Sequence, residues 1–328
     1  TTRDFRFKIR AWFLEEVDGI CTGCARGCNV YVGVANNKVQ RYVPRRNDEV
    51  NETWICDAGR LSYREIGSAD RLKHSLVRSS DGILAPASFD AAVEEAAVRL
   101  RRLVEVKGAG VIAGIASAHA TNEDLFIFRR FLEALGSETR GVPVVVGASD
   151  EILIEAEKAA NVAGARAMGF GDAALVVDRI KSGGVEAVVV LGHDILDERY
   201  LGGTRELSSL DTVIVLDLRQ SEFHHVAHVV FPTRHTAEKR GTLTNFAGRV
   251  QRVQPVVEPA WEAHDEGEVL ARLGAALELA GFDRPYDPGD VLRDLARTQP
   301  AFAGIDLDSI GRGGRVLAEA PAPRAKEA

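Results

Sequence analysis

All four cysteines of this 328-residue chain fall into one pattern: Cys21, Cys24 and Cys28, then Cys56 after a gap of 27 residues. The spacing C-x2-C-x3-C puts three thiols on one tight loop, and the fourth must arrive from another element. Three ligands on a loop cap three corners of a cubane while a distant one caps the last, the all-thiolate ligation of a 4Fe-4S cluster. Structural zinc also takes four thiolates, but its usual layout is two CxxC knuckles, and Cys56 stands alone. Disulfides are a third reading, although a chain this long buries a core without such staples. The spacing favours the cluster, with Cys21, Cys24, Cys28 and Cys56 as its ligands. Gly23 and Gly27 agree, since glycines let backbone N–H groups turn inward to the sulfurs of a metal site. No cysteine is left for a nucleophile or for a thiolate ligand to a second metal.

Composition narrows the class of partner. The chain is 45% hydrophobic and 27% charged, ordinary for a globular protein, and long enough for two domains. A net charge of −7 argues against nucleic acid, and the short basic stretch near the start does not reverse it. The longest apolar runs, at 142–146 and 187–191, fall far short of the ~20 residues that cross a bilayer, so no direct membrane span is expected. The opening Thr-Thr-Arg-Asp fits neither a signal nor a transit peptide. The single methionine is Met168, and residue 1 is expected to lie inside a longer chain rather than to be a processed terminus.

Periodicity divides the chain. Residues 5–14 alternate apolar and polar, which predicts a strand with one buried face. Residues 30–34 and 39–43 flank Asn36-Asn37, a pair that tolerates positive φ and predicts a tight hairpin. Residues 47–54 then carry the chain back, returning Cys56 to the other cysteines, and 57–66 reads as a short helix. From Ser88, a predicted N-cap, Val93, Ala96, Ala97, Leu100 and Val104 recur at helical spacing. A strand at 111–116 follows. Thr121 with Asp124 resembles a capping box for a helix closed by Gly136. Apolar strands at 142–146, 187–191, 212–216 and 227–231, with helices among them, predict a mainly parallel sheet covered on both faces. A last helix is expected within 260–279. Beyond Gly281 the chain is rich in Gly, Pro and Ala, and little fixed structure is expected after Gly311.

Two regions resemble one family: Asp4 to Lys8 (DFRFK) with Trp12 to Leu14, and Cys21 to Asn29 (CTGCARGCN) with Asn51 to Arg60 (NETWICDAGR); a third, Ala237 to Gln251 (AEKRGTLTNFAGRVQ), is similar to a motif of its superfamily. The family is the large iron–sulfur subunit, of the G type, of NADH:quinone oxidoreductase, respiratory complex I, within the molybdopterin oxidoreductase superfamily. The resemblance covers roughly residues 1–280 and is most specific around the cysteines. It implies an α/β chain: a small β-rich 4Fe-4S cluster domain over 1–75, then a truncated molybdopterin-oxidoreductase-like domain over 76–282. A Gly/Pro/Ala-rich tail completes it over 283–328. It further implies an electron-transfer and scaffold subunit, here in its C-terminal part only, set among the other subunits of the peripheral arm, including the flavin-bearing one. Such a subunit would sit on the cytoplasmic side of the inner membrane, held there through its partners.

The superfamily also contains molybdenum and tungsten enzymes, such as formate dehydrogenase, in which a lysine commonly stands two residues after the last cysteine. Here that position is Ala58. With no cysteine left for the metal and only about fifty residues between the second helix and the strand at 187, no molybdopterin is expected. A pterin enzyme and a zinc-stabilised assembly module stand as the alternatives. His224, His225, His228 and His235 read as structural, since no carboxylate accompanies them at ligand spacing. The 238–251 motif reads as a packed loop after the last strand.

Overall fold

The computed structural model describes residues 2–150 and 152–318, and its first strand is β1 (Glu15–Ile20). The alternation over 5–14 does not build a strand; it gives turns and a 3-10 turn at Ala11–Phe13. Alternation forms a strand only where one face is covered, and here Phe7, Trp12 and Phe13 are exposed while Phe5 alone is buried. β1 pairs antiparallel with β2 (Asn29–Ala35), which pairs with β3 (Lys38–Pro44). Asn36 and Asn37 both adopt positive φ (51° and 55°), as a two-residue hairpin of this hand requires. An isolated bridge between Asn47 and Glu52 folds the chain back toward the cysteines. The helix expected at 57–66 is split into α1 (Asp57–Leu61) and a 3-10 segment, Ser62–Gly67.

The second body opens with a hairpin that sequence periodicity did not reveal, β4 (Ser75–Arg78) and β5 (Leu84–Ala87). Ser88 caps α2 (Phe89–Lys107), and β6 (Ile112–Ile115) follows. The Thr121–Asp124 capping box opens α3 (Asn122–Leu135), which ends at a left-handed Gly136. The strand expected at 142–146 begins earlier, as β7 (Thr139–Val142), because Val146 is half-exposed and has no sheet face to cover. Then come α4 (Val162–Ala167), β8 (Gly171–Asp172), α5 (Ala174–Lys181), β9 (Ala187–Leu191), β10 (Thr212–Asp217) and β11 (Val229–Pro232).

The eight strands order as β5-β4-β11-β10-β9-β6-β7-β8, parallel from β11 to β8, with β4 and β5 antiparallel at one edge. Side chains of a strand alternate between faces, and both faces here are apolar. Val189, Ile214 and Phe231 join the core formed with α2 and α3; Val188, Val190 and Val215 join the one formed with α5. That double burial is why these strands read as unbroken apolar runs.

The 238–251 motif is a hairpin rather than a loop: β12 (Gly241–Thr244) pairs with β13 (Arg249–Val253). β-Branched Thr242 and Thr244 favour the strand, and their hydroxyls accept from Asn122 of α3 at 2.9 and 3.0 Å. The last helix expected from 260–279 is α6 (Glu266–Ala276). Nor is it last. Asp287 caps α7 (Pro288–Thr298), whose Leu292 and Leu295 are fully buried in the core, and β14 (Arg315–Val316) pairs with β13. The expectation of little fixed structure after Gly311 is therefore corrected as far as residue 318; buried Leu317 and the edge of β13 hold the segment in place. Its remainder, 319–328, lies outside the described residues.

A buried polar group ties β12, α3 and α6 together. Lys239 Nζ lies 2.9 Å from Asp124 and also meets Glu266. Glu123 accepts from the Thr242 backbone N–H at 2.8 Å and its hydroxyl at 2.9 Å. Burial pushes the Glu123 carboxyl up to about 8, against about 4.3 for an unfolded glutamate. The folded state thus binds this proton more tightly. Its contribution to stability is complete below the unfolded value and is lost as pH rises through about 8. Burial likewise raises Glu266 and Asp265, which titrate in the same sense. Glu123→Gln keeps the bond from the Thr242 N–H and lets its amide donate to the Thr242 hydroxyl, without the titration. It should flatten the fall in stability between pH 5 and 8 by up to about 1.4 kcal/mol per unit, read from urea midpoints. An unchanged pH slope would refute this.

Candidate metal centre

The turn from β1 to β2 carries three of the cysteines. Cys21 follows directly on β1, and its N–H donates to the Cys28 carbonyl at 2.8 Å, closing the loop at its base. Cys24 lies between them, and Cys28 directly precedes β2. Cys56 arrives from the other side as the N-cap of α1, its sulfur accepting the Gly59 N–H at 3.3 Å. Gly59 brings the two halves together. A Cβ there would stand 2.8 Å from the Cys21 sulfur and 3.4 Å from that of Cys56, so only glycine lets these thiols approach the start of the helix. All four are free thiols; Cys21, Cys24 and Cys28 are buried and Cys56 is partly exposed.

Burial, with the neighbouring Cys24 and Cys56, pushes the Cys21 thiol up to about 11, and a Gly23 N–H on its sulfur acts against that rise. Cys28 is raised further, by burial and then by Cys21 and Cys24. Two buried thiols that resist ionisation, with two more sulfurs beside them, fit a site that gives up its protons to metal. Among the described residues, no three His, Cys, Asp or Glu side chains close on a single metal ion. A cubane asks for something different, each thiolate meeting its own iron corner.

Three side chains outside the cysteines also shape the loop, and sequence reasoning did not single them out. The Asn29 N–H donates to Asn51 Oδ1 at 2.8 Å, and Asn51 Nδ2 donates to the Trp54 carbonyl at 2.9 Å, two residues before Cys56. From the α/β body, Gln251 Nε2 donates to the Gly27 carbonyl at 3.0 Å, and its oxygen accepts from Asn29. Their signal was present: each ends or opens one of the stretches that carry the resemblance.

Ala58 is exposed beside this site. The histidines do not join it. His228 Nδ1 accepts from the Val213 N–H and His235 Nδ1 from that of Ala237, both at 3.0 Å. Burial and the Arg71 charge hold His235 neutral, down to about 3, so it can only accept there. At the carboxyl ends of the sheet, where strand order reverses between β6 and β9, His193 Nδ1 lies 3.0 Å from buried Asp217. That hydrogen bond holds the imidazole cationic, up to about 9. No described helix is long and apolar enough to cross a membrane.

A loop of three thiols met by a fourth, joined to a mainly parallel sheet covered on both faces, defines the class of fold, that of the molybdopterin oxidoreductases. Residues 14–64 match the 4Fe-4S domain described as NADH-ubiquinone oxidoreductase NDSU1/NuoG-like, and residues 151–276 match the molybdopterin oxidoreductase family. The chain carries both domains. It is 35% identical over 131 residues to the G-type subunit of the NADH-quinone oxidoreductase of Streptomyces coelicolor, covering 40% of this chain and 15% of that one. It is 34% identical over 148 residues to the alpha subunit of the NADPH-Fe(3+) oxidoreductase of Geobacter sulfurreducens, covering 44% and 17%. The G-type subunit from Rickettsia bellii is 30% identical over 141 residues, covering 43% and 20%. The chain thus spans a fifth or less of these relatives. Acetylene hydratase from Pelobacter acetylenicus superposes with a TM-score of 0.60 at 11% identity, over 93% of this chain and 74% of that one, a likeness of fold alone.

Proposed function

We propose that Cys21, Cys24, Cys28 and Cys56 hold one 4Fe-4S cluster, and that the chain serves as an electron-transfer and scaffold part of a complex-I-type NADH:quinone oxidoreductase. The observation that carries this is the meeting of the Cys21 and Cys56 sulfurs at Gly59, with Cys24 and Cys28 on the same loop as Cys21, within a NuoG-like domain. When bound, such a cluster takes up and releases one electron at a time. The chain's own residues hold the thiols, shield three of them from water and direct the Gly23 and Gly59 N–H groups at sulfur. The cluster domain spans 1–75 and the α/β domain 76–282, and residues 283–318 of the C-terminal segment pack back onto both.

The family name implies molybdopterin, but the donor set does not suit its metal. All four thiols are spent at one site, and the place of the bridging lysine holds the methyl of Ala58. The crevice at the sheet's carboxyl ends offers His193, His119, Asp194 and Asp217 and no thiol. In this reading the chain performs no substrate chemistry alone. Its partners are the other subunits of a peripheral arm, including a flavin-bearing one, on the cytoplasmic side of an inner membrane. The two kinds of relative share a nicotinamide donor in their names and differ in acceptor, so the donor side is the firmer part of the analogy.

Metal analysis of the chain purified without oxygen tests the reading. About four irons per chain, with sulfide, are expected. Zinc in place of iron would overturn it in favour of an assembly module. Molybdenum or tungsten with a pterin, and formate-dependent dye reduction, would overturn it in favour of a catalytic subunit.

A further inference from the structure

The cysteine loop is gripped from outside its own domain. Three consecutive carbonyls between Cys24 and Cys28 are taken by the β12–β13 hairpin. The Ala25 carbonyl accepts from the Phe246 N–H at 2.8 Å, that of Arg26 from Asn245 Nδ2 at 3.2 Å, and that of Gly27 from Gln251 Nε2 at 3.0 Å. Gly27 sits at φ +62° with its α-carbon pressed to Gln251, where a Cβ would come within 2.7 Å of Nε2. The Gln251 oxygen accepts from Asn29, whose N–H donates to Asn51 and so reaches the turn that delivers Cys56. Asn29, Asn51 and Gln251 are all at least 95% buried. One carboxamide 222 residues away from Asn29 in sequence therefore touches the loop of three thiols directly and reaches the approach to Cys56 through Asn29 and Asn51.

We propose that Gln251 is a positioning residue for the cysteine loop: by holding the Gly27 carbonyl outward and the Asn29 side chain in register, it sets the reduction potential of the cluster and the rate at which iron leaves it. This rests on the cluster reading above. The physical reason is direct. A carbonyl dipole aimed at an anionic cluster opposes the added electron, while one drawn away leaves the inward N–H groups to favour it. A buried carbonyl released from its donor has no solvent to turn to and samples the interior. Residues behind a metal site typically hold it by 10–100-fold in affinity or rate.

The test uses the full chain with its iron. Gln251→Met keeps the side-chain bulk and removes both hydrogen bonds. Gln251→Glu keeps the acceptor for Asn29 and replaces the donor to Gly27. Arg252→Ala, on the exposed face of the same hairpin with its guanidinium on Gln254, is the control. In both Gln251 variants, chelator-driven iron release should quicken by about 10–100-fold, and the midpoint of an electron paramagnetic resonance redox titration should move to lower potential. Arg252→Ala should match the unaltered chain. A shift in Gln251→Glu alone would assign the effect to added charge and overturn positioning, as would equal changes in all three variants or none in any. If Gln251→Met is recovered only as aggregate, Gln251→Asn takes its place: it adds no charge and is one methylene too short to hold both Gly27 and Asn29, so faster iron release from it supports positioning and unchanged release overturns it. An unaltered chain without iron would instead sink the cluster reading itself, before any variant is compared.

Discussion

Alanine at any one of Cys21, Cys24, Cys28 or Cys56 is expected to abolish the four-iron signal, leaving a three-iron form or no iron. The chain has four cysteines in all, so no spare thiol can move in. Nor can the loop shift to recruit another donor, because its base is closed by the Cys21–Cys28 backbone bond and its carbonyls are held by the hairpin. An emptied site would leave the remaining thiols in a buried setting. Cys56 is the partly exposed member and also caps α1, so Cys56→Ala loses a helix cap, worth about 1 kcal/mol, together with a ligand. Metal binding and folding are coupled in small metal-held bodies, so limited proteolysis of these variants should cut within 1–75 first and spare 88–281. Iron counts and electron paramagnetic resonance spectra decide the point. Four variants with an unchanged signal would refute the ligand set.

What sequence could reveal here follows from how local each determinant is. The Asn36-Asn37 turn and the Thr121–Asp124 capping box are set within a few residues, and the structure has each where turn and capping chemistry put it. The unbroken apolar strands were legible because both sheet faces are buried. Residues 5–14 misled because period-two alternation states only what a strand would need; Phe7, Trp12 and Phe13 find no covering face. The C-terminal segment misled in the other direction. Its composition hid Asp287 at an N-cap, Pro288 at the first helical position, and Val291, Leu292 and Leu295 on one face, local signals that together define α7. The 237–251 stretch was recognisable as a motif, but its role was not. Gln251 acts on Gly27 and Glu238 on Arg71, contacts across 224 and 167 residues that no local pattern encodes.

That second contact carries the largest stability effect expected of any single substitution outside the cysteines. Arg71 is the bulkiest of the fully buried side chains, and it joins the cluster domain to the connection between β11 and β12. Its guanidinium lies 2.8 and 3.3 Å from the Glu238 carboxylate, donates to the Ile66 carbonyl at 2.8 Å and faces the Trp261 ring at 5.4 Å. Glu238 also accepts the His235 N–H at 2.8 Å, completing the cap of the following turn. Removing one partner leaves the other charge buried and unpaired, which costs about 3–5 kcal/mol, whereas replacing both with apolar groups is often close to neutral. Arg71→Met should therefore lower the unfolding free energy of the chain by that margin, read from urea titration, and Glu238→Leu should do much the same. The double variant Arg71→Met/Glu238→Leu should regain most of the loss, short of the His235 cap and the Ile66 carbonyl, which stay unsatisfied. Because Ile66 directly follows the segment that positions α1 and Cys56, Arg71→Met should also speed iron release, while a pair that merely adds stability would leave iron retention untouched. An Arg71→Met chain within about 1 kcal/mol of the parent, or a double variant as unstable as the two single losses summed, would show that this ion pair does not join the two domains.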